Sequence, residues 1–168
     1  MSDSYEEPRL LLWEMIKDTR YAMFTTRHRS GHLHSRPMTT QNTKVDEDDS
    51  LWFFMSRKGD PLADIAVDPV VNVTYAHPGH DSYVSVSGTA KAVEDTAKKA
   101  QLWNKASEAW FPGGAADPDL ALVQVRITHA NYWDAKKSKV VQLWKRARAA
   151  LGGEPPHDPG AHGVVRMN

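Results

Sequence analysis

Apolar positions near the start of the chain recur at helical spacing. Leu12, Met15 and Ile16 form one stripe, Ser4 and Glu7 have capping-box spacing, Pro8 falls in the first turn, and Lys17 and Arg20 follow near the end, where cations suit the helix dipole. The pattern predicts a helix of about three turns. From Tyr21 the period shortens. Tyr21 to Thr26 predicts a strand, Ser30-Gly31 a turn, and His32 to Thr40 a partner strand, in which Pro37 lacks a ladder donor and so marks an edge or a place where the strand is bent open. The acidic run from Asp46 to Asp49 predicts a solvated turn, and the unbroken apolar run Leu51 to Met55 a buried strand.

A short helix is expected over Leu62 to Val67, then strands over Val70 to Tyr75 and Tyr83 to Val93, joined by the turn-rich His77 to Asp81. Asp95 can cap a helix whose face carries Trp103, Ala106 and Trp110 and which stops at Pro112-Gly113-Gly114. Leu120 to Thr128 is the last predicted strand, extendable toward Trp133. Val140, Leu143, Trp144, Ala147 and Leu151 then share one face of a terminal helix. Hairpin-like connections between strands favour a mainly β, α+β fold with an antiparallel sheet, closed or split into a barrel. The expected organisation is one domain over residues 1–151 and a flexible tail over 152–168, where Gly and Pro are frequent and little is available to bury.

Composition narrows the function. The chain has 168 residues, 21 basic and 21 acidic side chains, no cysteine and six tryptophans. Balanced charge argues against a chain-wide partner such as duplex DNA or an anionic membrane. Without cysteine there is no disulfide framework, thiolate nucleophile or Cys-ligated metal. The polar, acidic opening residues show no secretory signal and no window approaches a membrane span, so the expectation is a soluble, cytoplasmic protein.

The most informative local chemistry combines Arg36-Pro37-Met38 with Trp52-Phe53-Phe54-Met55-Ser56-Arg57-Lys58. A phosphorylated planar ligand needs a guanidinium fork, a point charge, a hydroxyl donor and an aromatic wall. The competing structural reading pairs Arg36 with an acidic neighbour and divides Trp52, Phe53 and Phe54 between core and interface. His28, His32 and His34 invite a metal reading, since His32 and His34 would share one strand face as two ligands, but no obvious third and fourth ligand or HExxH pattern accompanies those two, so surface or groove-lining histidines are expected and no metal. There is no G-x-S-x-G elbow, G-x-G-x-x-G or phosphate loop. The basic residues Lys136, Lys137, Lys139, Lys145, Arg146 and Arg148 fit the solvated face of the terminal helix better than a nucleic-acid site.

Five segments in register resemble the general stress protein family of pyridoxamine 5'-phosphate oxidase-like, flavin-binding split barrels. They are Leu33 to Met38, Leu51 to Arg57, Tyr83 to Ala90, Ala109 to Gly114 with Asp117 to Asp119, and Tyr132 to Asp134. The resemblance spans roughly Glu7 to Trp144. It implies an antiparallel six-stranded split β-barrel with flanking helices, a homodimer, and FMN, or FAD, in grooves at the subunit interface.

Carried over by position, Arg36, Pro37 and Met38 would lie along the flavin, Trp52 to Met55 beside its ring, and Ser56 and Arg57 near its phosphate. Trp110 and Trp133 would be candidates to reach the partner's cofactor. Two departures stand out. Met55 occupies a place where the family commonly has threonine, and Lys58 stands in for a lysine usually found near Pro61. The function this implies is a flavin-binding general stress protein with at most modest oxidoreductase activity, fed by NAD(P)H or a small electron donor. The alternatives are a non-catalytic flavin carrier or sensor, and a pyridoxamine-phosphate-oxidase-type enzyme. No dedicated acid or base stands out, and His34 is a candidate for proton handling near neutral pH.

Overall fold

The computed structural model describes residues 3–46, 48–134 and 162–166. Helix α1 (Asp3–Ile16) leads into strands β1 (Ala22–Arg27), β2 (Leu33–Met38) and β3 (Ser50–Ser56), then helix α2 (Asp60–Val67). Strands β4 (Val70–His77) and β5 (Ser82–Val93), helix α3 (Thr96–Leu102), strand β6 (Leu120–Asp134) and strand β7 (His162–Arg166) complete the order. The strands lie in the order β2-β1-β4-β5-β6-β3, with every neighbour antiparallel and β7 added to β6.

The two ends of that order meet. Thr40, just past β2, bridges Phe53 of β3, and the Gln41 N–H donates to the Trp52 carbonyl at 2.8 Å. Asn42 extends the seam with its side chain: its Oδ1 accepts from the Trp52 N–H at 2.7 Å, and its Nδ2 donates to the Ser50 carbonyl at 2.9 Å. From β4, the buried Tyr75 places its hydroxyl 2.5 Å from Thr40 Oγ1. The sheet is thus a six-stranded split barrel, fastened at one end.

Alternation sends Phe24, Val73, Tyr75, Val84, Val86, Val123 and Val125 inward to a closed core, onto which α1 packs Leu12, Met15 and Ile16. Strand β3 is buried on both faces. Phe53 and Met55 point into the barrel, while Trp52 and Phe54 point outward beneath α3 and join Leu102, Phe111, Leu120 and Leu122 in a second cluster. Cover on both sides accounts for the unbroken apolar run. At Ser87/Gly88 the β5–β6 register shifts, with Thr128 as the extra residue. A Cβ on Gly88 would lie 2.3 Å from the Arg126 carbonyl, so only glycine permits that approach.

Three local expectations change. Helix α3 ends at Leu102 and a 3₁₀ turn follows over Lys105–Ala109, so Trp103 and Trp110 do not share a helix face. Asn104 explains the break, since its side-chain amide donates to Gln41 Oε1 at 2.8 Å instead of facing solvent from a continuing helix. The acidic run is only partly solvated. Asp46 accepts from Trp52 Nε1 and Lys98 Nζ at 2.7 and 2.8 Å, and Asp49 is buried against Arg9. Finally, residues 162–166 of the expected tail pair with Asn131 and its neighbours on β6, because β6 runs past the end of β3 and leaves that edge open. The predicted helix over 140–151 and residues 152–161 lie outside the described residues.

Burial pushes the Tyr75 hydroxyl well above its ordinary pKa, and the hydrogen bond with Thr40 opposes that shift without cancelling it. The folded state therefore holds this proton more tightly than the unfolded chain does. Its contribution to stability is complete below about pH 10 and declines as pH rises beyond it. Urea denaturation from neutral to alkaline pH should show that decline. Tyr75→Phe should lower stability near neutrality by about 1 kcal/mol and make the alkaline loss shallower than in the parent.

Candidate functional site

The seam that fastens the barrel at Thr40 also defines where it opens. Extending the Thr40–Phe53 register outward sets Met38 opposite Met55 and Arg36 opposite Arg57, yet no ladder joins β2 to β3 there. The main-chain groups of these lips follow from alternation. The His28 N–H donates to the His32 carbonyl at 2.9 Å, so the pairs Thr26/His34 and Phe24/Arg36 turn inward on β1, and Leu33, Ser35 and Pro37 face the split. Pro37 thus stands where a missing N–H costs the sheet nothing. On the other lip, Trp52 turns its main chain to the seam, and Phe54 and Ser56 turn theirs to the opening.

Helix α2 closes the bottom of this opening and supplies a buried carboxylate. Asp64, 4% exposed, accepts a 2.6 Å hydrogen bond from Thr26 Oγ1. Arg36 donates through Nη1 to the same Thr26 oxygen at 2.9 Å, and its Nη2 lies 3.6 Å from Asp64 Oδ2. That is an ion-pair contact longer than a hydrogen bond, and Nη2 is left buried with no acceptor. Burial pulls the guanidinium below its ordinary pKa, and Asp64 opposes the shift. The acidic neighbour considered for Arg36 from sequence is therefore present, but it satisfies only part of the fork.

The opposite lip carries the remaining polar groups. Ser56 Oγ donates to Asp119 Oδ2 at 2.7 Å, while Asp119 Oδ1 is buried without a partner. Arg57 pairs with Glu94 at 2.7 Å, and that contact holds the exposed Glu94 carboxyl below its usual range. An exposed pair of this kind adds little to stability, so Arg57 is free to exchange partners. Lys58 is exposed at the rim.

Of the residues singled out from sequence, Arg36, Pro37, Met38, Met55, Ser56, Arg57 and Lys58 meet at this split. Trp52, Phe53 and Phe54 border it only through main chain, since their side chains are buried elsewhere. Met55 faces the core and lines the inner wall. Trp110, 80% exposed, sits beyond the 3₁₀ turn, and Trp133, 45% exposed, lies opposite Tyr83 on the outer face of β5 and β6. Neither reaches the split of its own chain. Sequence reasoning missed Thr26 and Asp64, which hold Arg36. Asp64 sits in Ala63-Asp64-Ile65 as the polar member of an otherwise apolar turn, and that was the available signal. The hairpin histidines form a chain in which Ser30 Oγ lies 2.9 and 2.6 Å from Nδ1 of His28 and His32. Among the described residues no group of three or more His, Asp or Glu is arranged to hold a metal.

The model of the pyridoxamine 5'-phosphate oxidase-like family matches residues 7–157, and the chain belongs to that family. It is 27% identical over 153 residues to Protein bli-3 of Neurospora crassa, covering 86% of this chain and 73% of that protein. A general stress FMN/FAD binding protein from Xanthomonas citri is 31% identical, with a TM-score of 0.64 over 77% of this chain and 89% of that one. The fold is also shared with a protein assigned to general stress protein 26 from Jannaschia sp. CCS1, at 24% identity and TM-score 0.70, covering 99% of this chain and all of that one.

Asp64→Ala would leave Arg36 buried without its counter-charge and Thr26 without its acceptor. It should lower the unfolding free energy by roughly 3 kcal/mol, whereas Glu94→Ala, which breaks an exposed pair, should change it far less. Equal losses in chemical denaturation would show that the Asp64 group does not hold this end of the barrel.

Proposed function

We propose that this chain is a flavin-binding general stress protein that holds FMN, or FAD, along the split between β2 and β3. The observation that carries this reading is the buried Arg36 Nη2, which has no acceptor beside an open groove. A phosphate oxygen would complete the fork. The 31% identical FMN/FAD binding relative supplies the ligand class. Arg36 and the rim ammonium of Lys58 would take the phosphate, and Arg57 would join after leaving Glu94. Ser56 is committed to Asp119, whose uncompensated oxygen disfavours an anion on that side, so the phosphate belongs nearer β2. The main-chain groups that Ser35 and Pro37 turn to the split can orient the ring edge.

The aromatic wall that such a ligand needs is missing from the split itself, because Trp52 and Phe54 are packed under α3. A second copy can provide it. Exposed Met23, Tyr83 and Trp133 rise from the outer sheet face around a field of small polar side chains that satisfy one another. Thr25 and Ser35 hydroxyls lie 2.6 Å apart, Asn72 Nδ2 donates to Ser85 Oγ at 2.9 Å, and Thr74 donates to Asn72 Oδ1 at 2.9 Å. Groups paired in this way can be buried without an unsatisfied-donor penalty. The reading is therefore a homodimer in which Trp133 or Trp110 of one copy approaches the flavin of the other.

When bound, the flavin would supply electron or hydride chemistry, and this chain's residues would bind it, orient it and keep water from its ring. A cytoplasmic location and oxidoreduction with NAD(P)H or a small donor belong to the same proposal. A carrier or sensor is the second reading, favoured because, among the described residues, the carboxylates at the split, Asp64 and Asp119, are engaged with Thr26, Arg36 and Ser56.

Titrating purified protein with FMN and FAD, followed by flavin fluorescence, should give saturable micromolar binding that Arg36→Met weakens at least about tenfold. No binding at micromolar flavin would overturn the reading. Anaerobic addition of NADH or NADPH separates the two functions: bleaching of the flavin band supports an oxidoreductase, and an unchanged band a carrier.

A further inference from the structure

A cavity of about 390 Å³ lies on the outer face of β5 and β6, at the Ser50 end of β3 and so away from the split. Its shape follows from the bulge. Thr128 is the extra residue in β6, and Gly88 brings the β5 backbone against the Arg126 carbonyl, leaving a hollow between Thr89 and Arg126 on one side and Pro69 on the other.

Two cations face this hollow. Lys91 lies across from Gln124 and Arg126 across from Thr89, so the two charges sit diagonally on one sheet face. Among the described residues neither has a carboxylate within ion-pair distance. Like charges placed this way repel and are retained at a cost. The nearest acidic side chain of the lining, Asp48, is turned to Gln124, whose Nε2 donates to Asp48 Oδ2 and Ser50 Oγ, each at 2.8 Å. Pro69 supplies an apolar wall.

From this arrangement we propose a second, anionic ligand site, in which the Arg126 fork and the Lys91 ammonium hold a phosphate group and Thr89 offers a hydroxyl donor. The cavity is several times larger than the ~30 Å³ share of one water, and a bare phosphate would not fill it. The Pro69 ring suits the organic part of a small phosphomonoester. This inference is independent of flavin binding at the split.

Amide NMR shifts at Thr89, Lys91 and Arg126 test it, recorded during titration with inorganic phosphate and separately with glycerol phosphate, on flavin-free protein and on protein given excess FMN. Both probes should produce saturable shifts. Lys91→Met and Arg126→Met should each weaken binding at least about fivefold, Asp48→Asn should tighten it, and Arg36→Met should leave it unchanged. Tighter binding of glycerol phosphate assigns a phosphomonoester, and equal binding assigns free phosphate. Because Asp48, Lys91 and Arg126 are exposed, an unchanged melting temperature confirms that their variants fold. Shifts that fail to saturate, that persist in the Lys91/Arg126 double variant, or that sodium chloride reproduces at equal ionic strength would overturn the site.

Discussion

The short seam between Thr40 to Asn42 and Ser50 to Phe53 is the constraint on which the rest of the molecule depends. A twisted six-stranded sheet must either close completely or expose two edges. Here it closes over a few residues, through one bridge, one amide and one buried tyrosine, and then parts. Complete closure would have sealed β2 onto β3 and left no groove. No closure would have exposed Phe53 and the barrel interior to water. Tyr75 reaches the seam from β4, so the point of closure is tied to the middle of the core as well as to its neighbours.

Past the seam, the chain uses the opening to bury charge in a controlled way. Arg36 comes in from β2 and Asp64 from α2, and Thr26 stands between them as both donor and acceptor. A buried pair of this kind is weak as a source of net stability but exacting about geometry. It fixes α2 against the barrel mouth, which in turn sets where Ser56 to Lys58 can lie.

Much of the architecture was legible because local signals and tertiary demands agree. Pro37 marks a free edge, Asp95 caps α3 through the Lys98 N–H, and Leu51 to Met55 is apolar throughout because both its faces are covered. The site was legible in part. The segments that meet at the split were identifiable, but the directions of their side chains were not, since a run such as Trp52-Phe53-Phe54 does not reveal that α3 will cover its outer face. Pairings distant in sequence were also hidden. Nothing local to Arg36 indicates Asp64, and nothing in His162 to Arg166 indicates an open edge on β6. That edge exists only because β6 is longer than β3.

Strand β7 has a consequence for how the protein keeps its own surface safe. An unpaired stretch of β6 beyond β3 would present a row of donors and acceptors next to exposed Trp133, a ready template for a strand from another molecule. Residues 162–166 occupy that row, and Gly163 lets the backbone settle against the Tyr132 ring where any side chain would collide. Proteolytic loss of this short segment would remove no part of the split, yet it would turn a finished sheet margin into an adhesive one. The carboxyl-terminal strand thus guards against self-association by edge pairing, a role separate from the chemistry of the groove.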